Sequence, residues 1–169
     1  MKKKILFVCN TNVFRSPVAE KIFKQIFGKK FIVHSTGVSK KYLGKRVIDI
    51  VPETVLKRMK NSPINVLSHK VSAIDKSKML YADLILVMDN KNKKQLIEKF
   101  PQFSNKIFLL KEFAGYKKNL DIPDAAGTSL TFHDKIYKQI KKTLEKIKKK
   151  KLLRITFFQF MTPKSTSNR

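Results

Sequence analysis

KILFVCNTNVFRSPVAEKIFKQIF, residues 4–27, is the stretch whose reading decides the rest of this chain. It opens on an unbroken apolar run, Ile5-Leu6-Phe7-Val8. Runs without alternation suit a strand of a parallel sheet covered on both faces. It closes on a helical pattern from Pro17 to Phe27, in which Val18, Ile22 and Ile26 recur every four residues. Between strand and helix stand Cys9 and Arg15, with Ser16-Pro17 directly behind. A thiol at the end of a strand, a short loop and an Arg at the mouth of a helix together make a phosphate-binding device. Loop N–H groups and the helix N-terminus converge on an anion there. The same positive field favours thiolate over thiol, which makes Cys9 a nucleophile. Arg15 supplies a planar fork for two phosphoryl oxygens. The expected device is a phosphatase loop.

The background composition sharpens the point about Arg15. Lys and Arg number 38 against 12 acidic residues, for a net charge of +26. Nearly all of that is Lys; Arg stands only at positions 15, 46, 58, 154 and 169. An Arg kept in such a background marks a place where a point-charge Lys would not serve. The charge itself has three readings: a footprint for nucleic acid or acidic membrane, a lure for phosphorylated substrates, or a solvated lysine surface. No RNA-recognition aromatics, zinc-ligand set or basic-zipper heptad accompanies it. Polyanion binding is permitted, and nucleic acid is not required.

At 169 residues the chain has the length of one domain. A single Cys excludes an internal disulfide and fits a reducing compartment, so a cytoplasmic location is expected. The first apolar run is too short for a signal peptide or a membrane span. Strands are expected at residues 4–8, 31–35, 84–88 and 107–110. Pro52 is expected in the first turn of a helix carrying Val55, Leu56 and Met59. Asp89 is expected to cap a helix carrying Leu96 and Ile97. Phe132, Ile136, Ile140, Leu144 and Ile147 form a long amphipathic stripe. Strands alternating with helices imply an α/β fold: one three-layer domain, a four-stranded parallel sheet with helices on both faces. Ligands of such sheets bind beyond the strand C-termini. Cys9, Asp89 and the polar segment 111–131 all gather at that rim. Residues 1–150 form the expected domain. Residues 151–169 are read as an extension, apolar and aromatic over 155–161, with disorder expected over the last eight.

Cleaving a phosphate ester also requires a proton for the leaving oxygen. The segment Asp121-Ile-Pro-Asp124-Ala-Ala-Gly127 offers two carboxylates, which by spacing alone are equally turn-forming residues. No metal site is implied, because no His cluster joins them, and no cofactor is expected.

Together FVCNTNVFRSPVAE, HSTG at 34–37, LSHK at 67–70, ADLILVMD at 82–89 and DIPDAAG at 121–127 carry a resemblance. The chain resembles the low-molecular-weight protein tyrosine phosphatase family, which shares its fold with thioredoxin-type arsenate reductases. The resemblance covers roughly residues 5–147. It implies that Cys9 attacks phosphorus to form a phosphocysteine, Arg15 binds the phosphoryl group and Asp124 serves as general acid and then base. Asp124 is chosen because Asp124-Ala-Ala-Gly127 aligns with the family's acid-bearing stretch; Asp121 is the reserve. Phosphate contacts fall to Asn10, Thr11, Asn12, Val13, Phe14, Arg15 and Ser16. Ser16 would hydrogen-bond the thiolate, or simply cap the helix. Asn12, Ser35 and His69 match a network that holds the loop in shape, and Asp89 matches as a structural residue.

The departures bear on substrate. Thr11 replaces the usual Gly, which changes the loop path if that position needs positive φ. Phe14 replaces a second Cys, which leaves Cys9 without a disulfide partner against overoxidation. Ala125-Ala126 replace a Pro and an aromatic wall, with Tyr42 as the substitute wall. Val13 replaces the Thr of phosphoarginine-specific relatives. Two other readings stand beside the phosphatase: a phosphate- or polyanion-binding module with weak or no turnover, and an arsenate reductase-like protein. The second lacks the further Cys residues that thioredoxin-type reduction requires. Expected partners are a phosphorylated protein or small phosphomonoester, with phosphate or sulfate suiting the site, and a monomeric chain.

Overall fold

The computed structural model describes residues 1–60, 62–124 and 130–153. Strands β1 (Lys4–Cys9), β2 (Ile32–Gly37), β3 (Leu84–Val87) and β4 (Ile107–Leu109) form one sheet in the order β2-β1-β3-β4. Every pairing is parallel, with Phe7 of β1 opposite Ser35 on one side and Leu86 on the other. Parallel neighbours need crossover connections, and helices supply them. They are α1 (Arg15–Phe27) between β1 and β2, α2 (Glu53–Lys60) and α3 (Lys76–Tyr81) between β2 and β3, and α4 (Asn90–Lys99) between β3 and β4, while α5 (Leu110–Phe113) and α6 (Leu130–Lys149) follow β4.

Alternation along β1 sorts the core into two layers. Ile5, Phe7 and Cys9 face the layer that holds Val18, Ile22 and Phe23 of α1 and Ile136, Ile140 and Leu144 of α6. Leu6 and Val8 face the layer of Met79 of α3, Leu96 of α4 and Phe103. The stripe on α6 buries Ile136, Ile140, Leu144 and Ile147 almost completely. Each such side chain stabilises the fold by about 1.5–3 kcal/mol. Phe7 and Phe23 meet edge to face at 5.6 Å, so β1 and α1 are pinned together below the loop that joins them.

Several boundaries differ from the expectation. Cys9 is the last residue of β1 rather than the first beyond it. Helix α1 begins at Arg15, with Phe14 in the capping position, so Ser16 lies inside the first turn and is not the cap. Pro17 is tolerated there because its missing N–H has no intrahelical partner at the third position. Pro52 precedes α2, and its carbonyl accepts from Val55 and Leu56 N–H at 2.9 and 3.0 Å. Asp89 does cap α4, accepting from Asn92 N–H at 2.8 Å. Helix α3 was not expected. It is capped by Asp75 and buries only Met79, too short a stripe for periodicity to reveal. Segment 111–131 contains most of α5 and the start of α6. Within it, Ile122 is fully buried and donates its N–H to Met88 O at 2.7 Å. Leu153, beyond α6, also joins the core. Ala125, Ala126 and Gly127, and the rest of the extension from 154 to 169, lie outside the described residues.

Candidate active site

The loop after β1 is shaped by one buried side chain, Asn12. It sits in the left-handed region at φ 57° with no exposed surface. Asn bears that conformation better than most residues. Thr11 does not adopt positive φ, so the usual Gly is dispensable at that position. The Asn12 amide N–H donates to Ser16 Oγ at 2.9 Å and Ser35 Oγ at 3.1 Å. Its Oδ1 accepts from the Ser72 backbone N–H at 2.9 Å and lies 2.8 Å from His69 Nε2. Since Oδ1 can only accept, His69 carries its proton on Nε2. Partial burial holds the His69 pKa below the usual imidazole value, which keeps the ring neutral. Gly37 closes the structure from β2. A Cβ there would lie 2.7 Å from Asn10 O and 3.0 Å from Asn12 N, so only glycine lets the loop approach.

The nucleophile candidate sits at the base of this loop. Cys9 Sγ lies 3.0 Å from Ser16 Oγ and accepts from Asn12 N–H at 3.3 Å. Ser16 Oγ also reaches Thr36 O at 3.3 Å. Its single proton thus has two destinations: the Thr36 carbonyl, or the sulfur once that sulfur is a thiolate. No side chain caps the first turn of α1. Its orphan N–H groups are those a helix N-terminus offers to an anion.

Arg15, buried in the same turn, is gripped from three sides. Nη1 donates to Asp89 Oδ2 at 2.5 Å and to Ile122 O at 2.8 Å, and Nη2 donates to Asp124 Oδ2 at 2.8 Å. The two carboxylates differ in exposure. The Asp89 side chain is 15% exposed and also anchored to Asn92, whereas that of Asp124 is 45% exposed. Asp121, the reserve acid, instead accepts from the Asn90 backbone and side chain at 2.8 and 2.9 Å, fastening its segment to the start of α4.

Cys9, Arg15 and Asp124 open into one cleft of about 410 Å³. Asn10, Thr11, Val13, Phe14 and Tyr42 line it, while Asn12, Ser16, Ser35 and His69 stand behind it. Ile50, Val51, Pro52, Val55 and Met59 build an apolar far wall that sequence reading did not assign. His133 from α6 also enters, with Phe14 edge-on to its ring at 4.9 Å. Ser72, Gly37 and the Ile122 carbonyl were missed as well, because each acts through its backbone. Among the described residues no cluster of three or more His, Cys, Asp or Glu could hold a metal ion. Likewise, no helix among them is long and apolar enough to cross a membrane.

Comparison with known proteins agrees with this geometry. Residues 4–154 match the family model described as low molecular weight phosphotyrosine protein phosphatase. A protein-arginine-phosphatase of Bacillus subtilis is 32% identical over 146 residues, covering 85% of this chain and 90% of the relative. The low molecular weight protein-tyrosine-phosphatase Ptp of Acinetobacter johnsonii is 30% identical, covering 78% and 86%. The crystal structure of a low molecular weight protein tyrosine phosphatase from T. tengcongensis superposes with a TM-score of 0.74 at 28% identity, over 88% of this chain and 99% of that one. A loop built on Cys9 and Arg15 at the head of a parallel sheet, with these relatives across almost its whole length, makes this chain a member of the low molecular weight phosphotyrosine protein phosphatase family.

Proposed function

We propose that the chain hydrolyses phosphotyrosine in proteins through a phosphocysteine on Cys9. The observation that carries this is the single cleft into which Cys9, Arg15 and Asp124 open beside an apolar wall. In the resting arrangement Asp124 neutralises Arg15. An incoming phosphoryl group competes for the same Nη2, and the released carboxylate takes up a proton from solvent before it faces the leaving oxygen. Cys9 thiolate attacks phosphorus; the S–P bond forms as the P–O bond breaks, and the proton of Asp124 passes to the phenolic oxygen. Arg15 and the loop N–H groups stabilise the spreading charge. Asp124, now ionised, takes a proton from water as that water attacks phosphorus. The S–P bond breaks, which releases phosphate and restores the thiolate. Ser16 donates to sulfur when it leaves as an anion.

Val13, Tyr42 and the wall from Ile50 to Met59 favour a flat apolar ring in the cleft. Phosphoarginine is the second reading, favoured by the 32% identity to the Bacillus arginine phosphatase. The chain works as a monomer in a reducing cytoplasm, with one thiol and no cofactor, and nucleic acid plays no part in turnover. Assay of para-nitrophenyl phosphate, then of phosphotyrosine and phosphoarginine, tests this. Wild type should turn over the first two, and Cys9→Ser should lose activity by on the order of 10⁴-fold or more. Equal inactivity of both proteins would leave a phosphate-binding module, and preference for phosphoarginine would transfer the assignment to that substrate.

A further inference from the structure

A second cavity, of about 510 Å³, lies away from the cleft, where the first half of β1 and the open edge of β2 meet α3. It shares no lining residue with the active-site cleft. Its lining includes Ser35, His69 and Ser72. These are three of the residues that hold Asn12 in its left-handed conformation. The cavity therefore backs directly onto the support of the phosphate loop.

Its chemistry is specific as well. Lys4 and Lys70 contribute cations, whereas Lys78 is already ion-paired with Asp75 and the carboxylate of Glu20 with Lys24. Tyr81 is 48% exposed, large for an aromatic side chain, and offers its ring to the cavity beneath Lys4 Nζ at 4.1 Å. Leu6 and Ala82 form an apolar floor. Cations around a flat apolar bed suit a ring that carries an acid.

We propose that this cavity is an effector site for small aromatic carboxylates, and that its occupant acts on turnover through His69 and Asn12. The ring lies against Tyr81, and the carboxylate is held by Lys70. Because Nε2–H is committed to Asn12, the other ring nitrogen of His69 carries a lone pair. A carboxylate set beside the ring repels that lone pair or draws a proton to it. Both events alter the hydrogen bond that fixes the loop, without touching the cleft. The kinetic part of this proposal rests on the phosphatase reading; the site itself does not.

The probe is 2-naphthoate, titrated into the full chain by calorimetry and then included in the para-nitrophenyl phosphate assay. Saturable binding should weaken at least fivefold in Tyr81→Ala and in Lys70→Gln. A remote lysine variant, Lys148→Gln, should bind as wild type does. Saturating naphthoate should change kcat twofold or more at constant KM, and Tyr81→Ala should keep the basal rate while losing this response. Absence of saturable binding, or equal weakening in all three variants, would overturn the site. Purely competitive inhibition would place the probe in the cleft and overturn it too. Saturable, variant-sensitive binding with no change in kcat would overturn the coupling. An inactive wild type would leave calorimetry to decide the site, so failure of the phosphatase reading remains distinguishable.

Discussion

The two halves of the candidate catalytic machinery are built in opposite ways. The loop from Cys9 to Ser16 is fixed by buried polar contacts: Asn12 alone joins Ser16, Ser35, His69 and Ser72. The acid-bearing segment is fastened at its start, through Asp121 to Asn90 and Ile122 to Met88, while Asp124 beyond it is nearly half exposed. The contrast follows from what each group must do. A nucleophile and its anion cradle act only if their geometry exists before the substrate arrives. A general acid must exchange partners, here from Arg15 to a leaving oxygen, so a deeply locked carboxylate would fail. Rigidity and freedom are distributed by role.

Breaking the rigid half should have the largest effect. Asn12→Ala removes four hydrogen bonds at once and leaves the Ser72 N–H and His69 Nε2–H without their acceptor. Each orphaned, partly buried group costs about 1 kcal/mol or more, and Ala at positive φ adds about 1 kcal/mol. Urea unfolding should show a loss of roughly 3 kcal/mol or more. kcat/KM for para-nitrophenyl phosphate should fall by about 10² through loop misplacement. Unchanged kcat/KM would mean that the loop holds its shape without Asn12.

The more exposed half should give the reverse signature. Asp124→Asn removes the acid while Arg15 keeps Asp89 and the Ile122 carbonyl. Stability should change by about 1 kcal/mol, since Asn keeps an amide oxygen that can accept from Nη2. Phenyl phosphate, a poor leaving group, should slow by about 10²-fold, and para-nitrophenyl phosphate markedly less, since its leaving group needs little protonation. Equal slowing of both esters would remove Asp124 from the role. Gly37→Ala tests the rigid half from outside, where a Cβ would meet Asn10 O at 2.7 Å. Overpacking of this kind costs about 1–3 kcal/mol. Because the displaced atoms belong to the loop, kcat/KM should fall roughly tenfold, a smaller loss than for Asn12→Ala.

How far each half could be read in advance follows the same division. The strand, the loop and the helix after it were legible because an apolar run, a Cys–Arg spacing and a helical period stand side by side in one short stretch. The stripe on α6 was legible for the same reason. Contacts made across the chain were not. Arg15 meets Asp89 and Ile122 over 74 and 107 positions, and nothing local to either end encodes the meeting. His69 entered only through the family resemblance, being 57 positions from Asn12. Ser72 and Gly37 act through a backbone N–H and a missing Cβ, which no residue type announces. The far wall of the cleft and His133 are brought in by packing of α2 and α6, a property of the assembled layers. Helix α3 escaped because six residues with one buried side chain present no period.

The smallest expected effect sharpens the comparison on the rigid side, through pH. His69 is neutral in the fold because burial holds its pKa below the ordinary value of about 6.5. In the unfolded chain it returns to that value. Below about pH 6.5 the unfolded state therefore binds more protons than the folded one, and acid draws the equilibrium towards unfolding. Its contribution is fully present above that pH and is lost as pH falls. Urea midpoints of wild type and His69→Gln, measured at pH 7.5 and 5.5, isolate this contribution. Gln retains an N–H for Asn12 Oδ1 but does not titrate, and the other histidines act alike in both proteins. Wild type should lose more stability between the two pH values than His69→Gln. Equal losses would mean that His69 charges freely in place, and that the loop tolerates a cation behind Asn12 that its burial argues against.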